Sequence, residues 1–322
     1  MSDYNIEKIG PERFDILVPL MKDCFGMDVN INYFEWKYTA NPAGDFIGFI
    51  AVQKDTGEIG AYYGVIPQKF FIEGKEKTIY QSCDTMTHSK HRRKGLFQKL
   101  ALECYSYLRA QNNLFVIGFG GAQSTPGFIK FGWKHVFNFK YYFKPYPVCL
   151  LSVFRSYKKE CFTEDDFSGI ENFCNSLPYP AAIHSNRNVM HIKWRTQNPN
   201  YQYKLISFRS KDTVEGYLIY YIQQNKIILF DFKFSTAQSR KALFWYIAQK
   251  TVSNKFKGIV AFCQEDGINA GYLKAGGYWA NPFKKGPLSE KTPFIFYADE
   301  ENLHKYANSK SWEVTAYDHD AL

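Results

Sequence analysis

Residues 84–97 read Asp-Thr-Met-Thr-His-Ser-Lys-His-Arg-Arg-Lys-Gly-Leu-Phe, and 147 residues further on the chain repeats that pattern without a gap. The second stretch, residues 231–244, reads Asp-Phe-Lys-Phe-Ser-Thr-Ala-Gln-Ser-Arg-Lys-Ala-Leu-Phe. Apolar Leu96, Phe97, Leu100 and Ala101 return as Leu243, Phe244, Ile247 and Ala248. Two other strings return as well. Trp36-Lys37 with Asn41-Pro42 is echoed by Trp194-Arg195 with Asn198-Pro199, and Gly127-Phe-Ile-Lys130 by Gly271-Tyr-Leu-Lys274. Self-similarity in the same order over a long separation restricts the fold more than local propensity does: one architecture has to be built twice. At 322 residues each copy is long enough to bury its own core. The expected division is residues 1–145 and 146–322.

Hydrophobic periodicity gives the elements of the first copy. Tyr4 to Ile9 reads as a strand, and Pro11 opens a helix expected to run to about Phe25. A helical piece over residues 32–39 stops before Asn41-Pro42. Strands follow at 46–53, 59–66, 70–73 and 78–86, joined by short polar turns. Then come the basic turn, a helix with apolar residues at 96, 97, 100, 101, 104 and 108, a strand at 114–119, a short helix at 126–130, and a strand pair ending near Lys144.

The basic turn carries the chemistry. A helix that opens after it leaves backbone N–H groups without partners, and Arg92, Arg93 and Lys94 flank them, a setting suited to phosphate oxygens. The segment Arg92-x-x-Gly95-x-Phe97 resembles the Arg/Gln-x-x-Gly-x-Gly/Ala turn that binds the pyrophosphate of acyl-coenzyme A in the GNAT N-acetyltransferase superfamily. The element order β-α-α-β-β-β-α-β-α-β-β over roughly residues 1–145 is similar to that family too. The resemblance implies an α/β chain of two tandem GNAT-like domains, each a mixed, mostly antiparallel twisted sheet flanked by helices. It also implies a donor, acetyl- or 3-hydroxybutyryl-coenzyme A, and no metal. By position, Thr85, Met86, Thr87 and His88 would pair with the pantetheine arm. Arg92, Arg93, Lys94, Gly95, Leu96 and Phe97 would hold the pyrophosphate. In the second copy Arg92 becomes Ser239 and Gly95 becomes Ala242, so only the first copy is expected to bind the donor.

The family's second signature ends in a tyrosine that protonates the leaving thiolate. The matching piece runs from Ala122 through Gln123 and Ser124 to Trp133, and Phe128 stands at the tyrosine position. Phenylalanine cannot donate a proton, which leaves nearby Ser124 or solvent. For the base, Gln81 occupies a position where some family members carry glutamate, and Asp84 is the nearest carboxylate. Asp231 fills the same place in the second copy, so Asp84 has a structural reading beside the catalytic one. Strand alternation sets Gln81 and Asp84 on opposite faces unless a bulge re-aims one of them. Trp36, Tyr62, Tyr63 and Phe119 are candidate linings of the acceptor cleft, or core residues.

A formal net charge of +9 favours an anionic partner, yet the basic residues are scattered except at 90–94, which argues against a dedicated nucleic-acid binder. Seven cysteines without a Cys-x-x-Cys pair suggest neither a zinc site nor a disulfide framework. The longest apolar run, 148–154, is too short to span a bilayer. These features imply a cytoplasmic protein, monomer or homodimer, acting on neither nucleic acid nor membrane. Further strings (Trp-Lys-x-x-x-Asn-Pro, Gln-Ser-x-Asp-Thr-Met-Thr-His and Pro-Gly-Phe-x-Lys) resemble GNAT-type enzymes of bacterial surface-polysaccharide pathways. That resemblance implies N-acylation of a nucleotide-linked amino sugar of the dTDP-3-amino-3,6-dideoxyhexose type, with O-antigen or lipopolysaccharide synthesis as the setting. The alternatives are a small-amine acetyltransferase, for an aminoglycoside or polyamine, and an aminoacyl-tRNA-dependent transferase of the peptidoglycan type.

Overall fold

Strands at 47–53, 59–72 and 75–87, buried over most of their length on both faces, form the meander that starts the sheet. The computed structural model describes residues 3–121, 124–283 and 285–320; Ala122 and Gln123 of the second signature lie outside them. Strand β1 (Tyr4–Ile9) pairs antiparallel with β2 (Ile47–Gln53), then β2 with β3 (Ile59–Ile72), and β3 with β4 (Lys75–Thr87). β4 runs parallel to β5 (Phe115–Phe119) after the crossover helix α3 (Leu96–Ala110).

Two expected strands, 59–66 and 70–73, are one. Pro67 does not break β3, because pairing to β2 ends at Val65 and the absent N–H is not needed on that edge. The helix expected from Pro11 to Phe25 is interrupted. A 3₁₀ segment (Pro11–Ile16) with non-helical Arg13 precedes helix α1 (Leu17–Phe25). Pro19 explains the restart, since proline lacks an N–H and is tolerated only in a helix's first turn. After helix α2 (Ile31–Phe34) comes a π-turn, Glu35–Thr39, closed by the Ala40 N–H on the Glu35 carbonyl at 2.9 Å. The wider turn lets consecutive Trp36, Lys37 and Tyr38 all point inward and be buried.

The strand pair expected to end near Lys144 is a single strand, β6 (Lys134–Pro145), which follows the short helix α4 (Thr125–Lys130). Its partners come from far along the chain. The strand Lys291–Ala298 lies between β5 and β6, and β6 itself pairs with Gly258–Gln264 of the second copy. Each copy thus lends a strand to the other. The described strands form one 15-stranded sheet, continuous across residue 145. Helix α3 covers one face of the first half, and α1 with α2 covers the other. In the second half the helix Ala237–Ser253 packs as α3 does. The fold is α/β, two GNAT-like copies of a mostly antiparallel sheet flanked by helices. No described helix is long and apolar enough to cross a membrane.

Candidate active site

β4 and β5 pair only at Tyr80–Val116 and Gln81–Ile117, then diverge. The divergence begins where β4 bulges. Opposite Tyr63, between the pairs Tyr62–Met86 and Gly64–Cys83, β4 has two residues, Asp84 and Thr85, and Asp84 takes φ +46°. The bulge answers the alternation problem, because Gln81 and Asp84 now reach one cluster. Beyond it, the β5-facing edge of residues 84–87 has no strand beside it, an open edge of the kind an extended ligand can join.

At the end of β4 the chain turns through exposed Arg92, Arg93 and Lys94, with positive φ at Arg93 and Gly95. A Cβ at Gly95 would meet nothing within 4 Å, so the space beside it is open, but φ +73° itself favours glycine. The Gly95 carbonyl accepts the first helical bond, from Lys99 N–H at 3.1 Å. Among the described residues no side-chain cap closes the amides of Leu96, Phe97 and Gln98 ahead of it, and no acidic residue sits in that first turn. The Arg92 guanidinium reaches back to the Thr87 carbonyl at 3.4 Å, and Lys94 Nζ donates to the Tyr4 hydroxyl at 3.0 Å. An uncapped helix N-terminus under two exposed arginines fits a diphosphate.

Several expected ligand contacts are core residues. Leu96, Met86 and Phe128 are buried, so only their backbones can face a ligand. Phe128 packs on Phe97 and Trp133 at ring distances of 4.9 and 4.6 Å. His88 caps the 3₁₀ turn Ser89–His91 by accepting from Lys90 N–H. Tyr63 is fully buried and hydrogen-bonds Tyr105, and Tyr62 is equally enclosed. Trp36 stacks on its repeat partner Trp194 at 5.4 Å, each indole N–H donating to the other's carbonyl at 2.7 Å. Trp36, Tyr62 and Tyr63 therefore pack the core rather than line a cleft. Ser124 is half-buried at the start of α4 and donates weakly to the Gly121 carbonyl at 3.5 Å.

Asp84 is not an unoccupied base. Its oxygens receive Lys37 Nζ at 2.9 Å and the Tyr38 hydroxyl at 2.7 Å. Lys37 also bonds Asp320 at 2.9 Å, and the Gln81 amide donates to Asp320 at 3.1 Å, while Gln68 donates to Gln81. Burial works against the Lys37 ammonium, but Asp320 and Asp84 outweigh it and hold its pKa well above the ordinary lysine value. Burial likewise pushes Asp320 up, and Lys37 together with His319 and Arg195 more than reverses it.

Residues 315–320, unmarked by any sequence motif, thus enter the site. Both halves grip them. Lys37 holds Asp320, and its repeat counterpart Arg195 donates to the carbonyls of Tyr317 and His319 at 3.1 and 2.6 Å. So anchored, His319 lies against half-buried Phe119 at the end of β5, ring centroids 4.4 Å apart, with 17% of its side chain exposed. Burial pushes the His319 pKa down to about 4, with Asp320 opposing and Arg195 and Lys37 assisting. The imidazole is neutral near pH 7 and able to accept a proton. Among the described residues, no group of three or more His, Cys, Asp or Glu is arranged to hold a metal.

The second copy keeps the splay, with Ile227–Leu229 pairing to Ile259–Ala261, but not the anion site. Its helix starts at Ala237, so the positions matching residues 90–95 are helical. Thr236 and Ser239 cap each other's amides at 3.0 and 3.3 Å. Asp231, the counterpart of Asp84, is wholly buried and held by Arg187 at 2.8 and 3.2 Å and by the Tyr217 hydroxyl.

Residues 5–136 match the family described as Acetyltransferase (GNAT) domain. A comparison with curated proteins finds no match. Among solved structures, the chain is similar to a conserved protein of unknown function and probable N-acyltransferase from Enterococcus faecalis V583, at 13% identity and TM-score 0.71, covering 95% of this chain and 75% of that one. It is also similar to a GCN5-related N-acetyltransferase from Anabaena variabilis, at 11% identity and TM-score 0.67, covering 92% and 72%. A third likeness is to Saccharomyces cerevisiae N-myristoyltransferase with bound myristoyl-CoA, at 11% identity and TM-score 0.62, covering 92% and 79%. These likenesses carry the fold, and the match of residues 5–136 to the GNAT acetyltransferase domain supports an acyl-CoA-dependent N-acyltransferase.

Proposed function

We propose that the chain moves an acetyl or 3-hydroxybutyryl group from coenzyme A to the amino group of a nucleotide-linked amino sugar. The observation that carries the donor half is the uncapped N-terminus of α3 beneath Arg92 and Arg93, beside the open edge of β4. In this reading residues 1–145 hold the donor and residues 146–322 help form the acceptor site. Backbone groups of Thr85, Thr87 and His88 line the pantetheine, and the amides at 96–98 with Arg92 and Arg93 take the pyrophosphate. The thioester supplies an activated acyl carbon.

The base in this reading is His319 rather than Asp84, whose oxygens are committed to Lys37 and Tyr38. The nitrogen–carbon bond forms as the carbon–sulfur bond breaks. The proton leaving nitrogen passes to the His319 imidazole and returns to the departing thiolate, directly or through Ser124 or water. Asp320, fixed by Lys37 and Gln81, orients the imidazole and stabilises its protonated form. A cationic polyamine or aminoglycoside fits less well, because both carboxylates at the centre are already ion-paired to Lys37.

The test is thiol release from acetyl- and 3-hydroxybutyryl-coenzyme A with a panel of nucleotide amino sugars, free aminoglycosides and polyamines. Turnover with a dTDP-amino sugar is the expected result. Turnover with a free polyamine or aminoglycoside alone would overturn the acceptor assignment.

A further inference from the structure

A pocket of about 390 Å³ opens in the second half, on the sheet face opposite the helix Ala237–Ser253. Tyr141, Tyr221, Phe230, Phe262, Leu288 and Ala316 form much of its wall. Its volume and its mix of aromatic rings with aliphatic and polar groups are those of a small-molecule site. Its place in the fold is informative. Ile228, also in the wall, occupies the repeat position of Gln81, so the pocket is the second copy's version of the face that holds the catalytic cluster in the first. The polar group there has been replaced by an apolar one, which suits binding rather than proton transfer.

The pocket and the site are two ends of one short turn. Ala316 lines the pocket, and Ala316–Asp318 is a 3₁₀ segment leading directly into His319. Three residues of such a helix rise about 6 Å. Aromatic rings mark the same route: Phe119 lies 4.4 Å from His319, His319 lies 6.2 Å from Phe262, and Phe262 lies 4.8 Å from Tyr141. Phe262 thus stands between the pocket it lines and the His319 imidazole.

We infer that the pocket seats a planar heterocycle at the far end of the acceptor, the base of a nucleotide whose sugar carries the amine. This rests on the acceptor reading above and adds to it the place and chemistry of the base site. The half-buried ring of Tyr141 offers a stacking surface, and half-buried Lys226 in the lining supplies a cation for a linking phosphate.

The test titrates thymidine 5′-diphosphate into the full-length chain by calorimetry, and compares Tyr141→Ala with Tyr141→Phe. Binding that weakens about tenfold or more in Tyr141→Ala and is nearly retained in Tyr141→Phe is expected. Affinity for coenzyme A should stay constant in both. Methyl-labelled NMR of the unaltered protein gives a second reading that needs no variant. Ile228, Val260, Leu288 and Ala316 should shift with the nucleotide. Shifts confined to Leu96 and its neighbours would mean that the diphosphate occupies only the donor turn, and would overturn the inference. Turnover of a dTDP-amino sugar with no nucleotide effect at the pocket sinks the pocket alone. Nucleotide binding at the pocket without turnover of any nucleotide sugar sinks the acceptor reading and leaves the base site standing.

Discussion

The N-termini of helices α3 and Ala237–Ser253 began as the same structure and now do opposite things. The first is preceded by a basic loop with αL residues and leaves its amides uncapped. The second extends the helix backward through the loop and closes its own amides with Thr236 and Ser239. The core residues behind each are equivalent: Leu96, Leu100 and Ala101 in one, Leu243, Ile247 and Ala248 in the other, all buried. Packing is alike where the fold needs it, and a side-chain cap stands in the second copy where the first has the uncapped turn proposed to hold the donor. The aspartates before the two helices separate along the same line. Asp84 shares Lys37 with the 315–320 segment, while Asp231 is sealed in with Arg187.

The largest effects should come from those ion pairs. Lys37→Met leaves Asp84 and Asp320 buried without their cation, a loss of about 3–5 kcal/mol by the precedent of broken buried pairs. Arg187→Met should cost a similar amount through Asp231. Urea unfolding of both variants checks this. An unchanged midpoint for Arg187→Met would remove the structural reading of the second aspartate.

Next is His319→Gln. Losing a positioned base lowers kcat about 100-fold or more, while the KM for acyl-CoA stays put. A merely structural role would instead shift stability and both kinetic constants together. The pH response of the unaltered protein supplies an independent check. Folding holds His319 at about 4, below its ordinary 6.5, so the unfolded chain binds a proton that the folded chain refuses between those values. Stability therefore falls as pH drops from 6.5 toward 4. Buried His184 and His191, held at about 4 and about 3, add to that slope, and His319→Gln should remove only its own share.

The asymmetry between the copies was legible in the sequence because it is local. Gly95 against Ala242 and Arg92 against Ser239 are differences at matched positions, and the 3.6-residue stripe beneath them fixes the helix. The strand exchange was not legible. β6 and Lys291–Ala298 carry the alternation any strand carries, and nothing in it says which of two similar sheets each joins. The proposed base was hidden for a related reason. Lys37 and Asp320 are 283 positions apart, and a His-Asp pair in a polar segment has no signature until a buried lysine and arginine draw it in. Trp36 illustrates the converse: its repetition as Trp194 already pointed to packing, and the two indoles do pack on each other.

At the turn itself, Gly95→Ala meets no steric obstacle but has to hold φ +73°, at about 1–2 kcal/mol for a residue with a Cβ. The methyl also enters the open space beside the amides, so coenzyme A affinity should fall about tenfold, the equivalent of about 1.4 kcal/mol. Ala242→Gly lies within the second helix and is buried. It should cost about 1 kcal/mol of stability through helix propensity and leave donor affinity unchanged. Equal coenzyme A affinity in Gly95→Ala and the parent, measured by calorimetry, would refute the donor assignment.

The smallest effect tests the comparison most directly. Thr236→Ala removes the oxygen that accepts from Ser239 N–H and should lower stability by about 1 kcal/mol, the usual cost of a lost N-cap. It also uncaps the second helix, making its terminus formally like that of α3. Coenzyme A should still bind at a single site. The positions matching Arg92 and Gly95 are buried Ser239 and Ala242 inside a continuous helix, so no loop is present to turn amides and guanidinium toward one phosphate. A second equivalent of coenzyme A on Thr236→Ala would show that the cap alone separates the copies. One equivalent places the difference in the loop, where the Gly95 backbone and the exposed arginines act together.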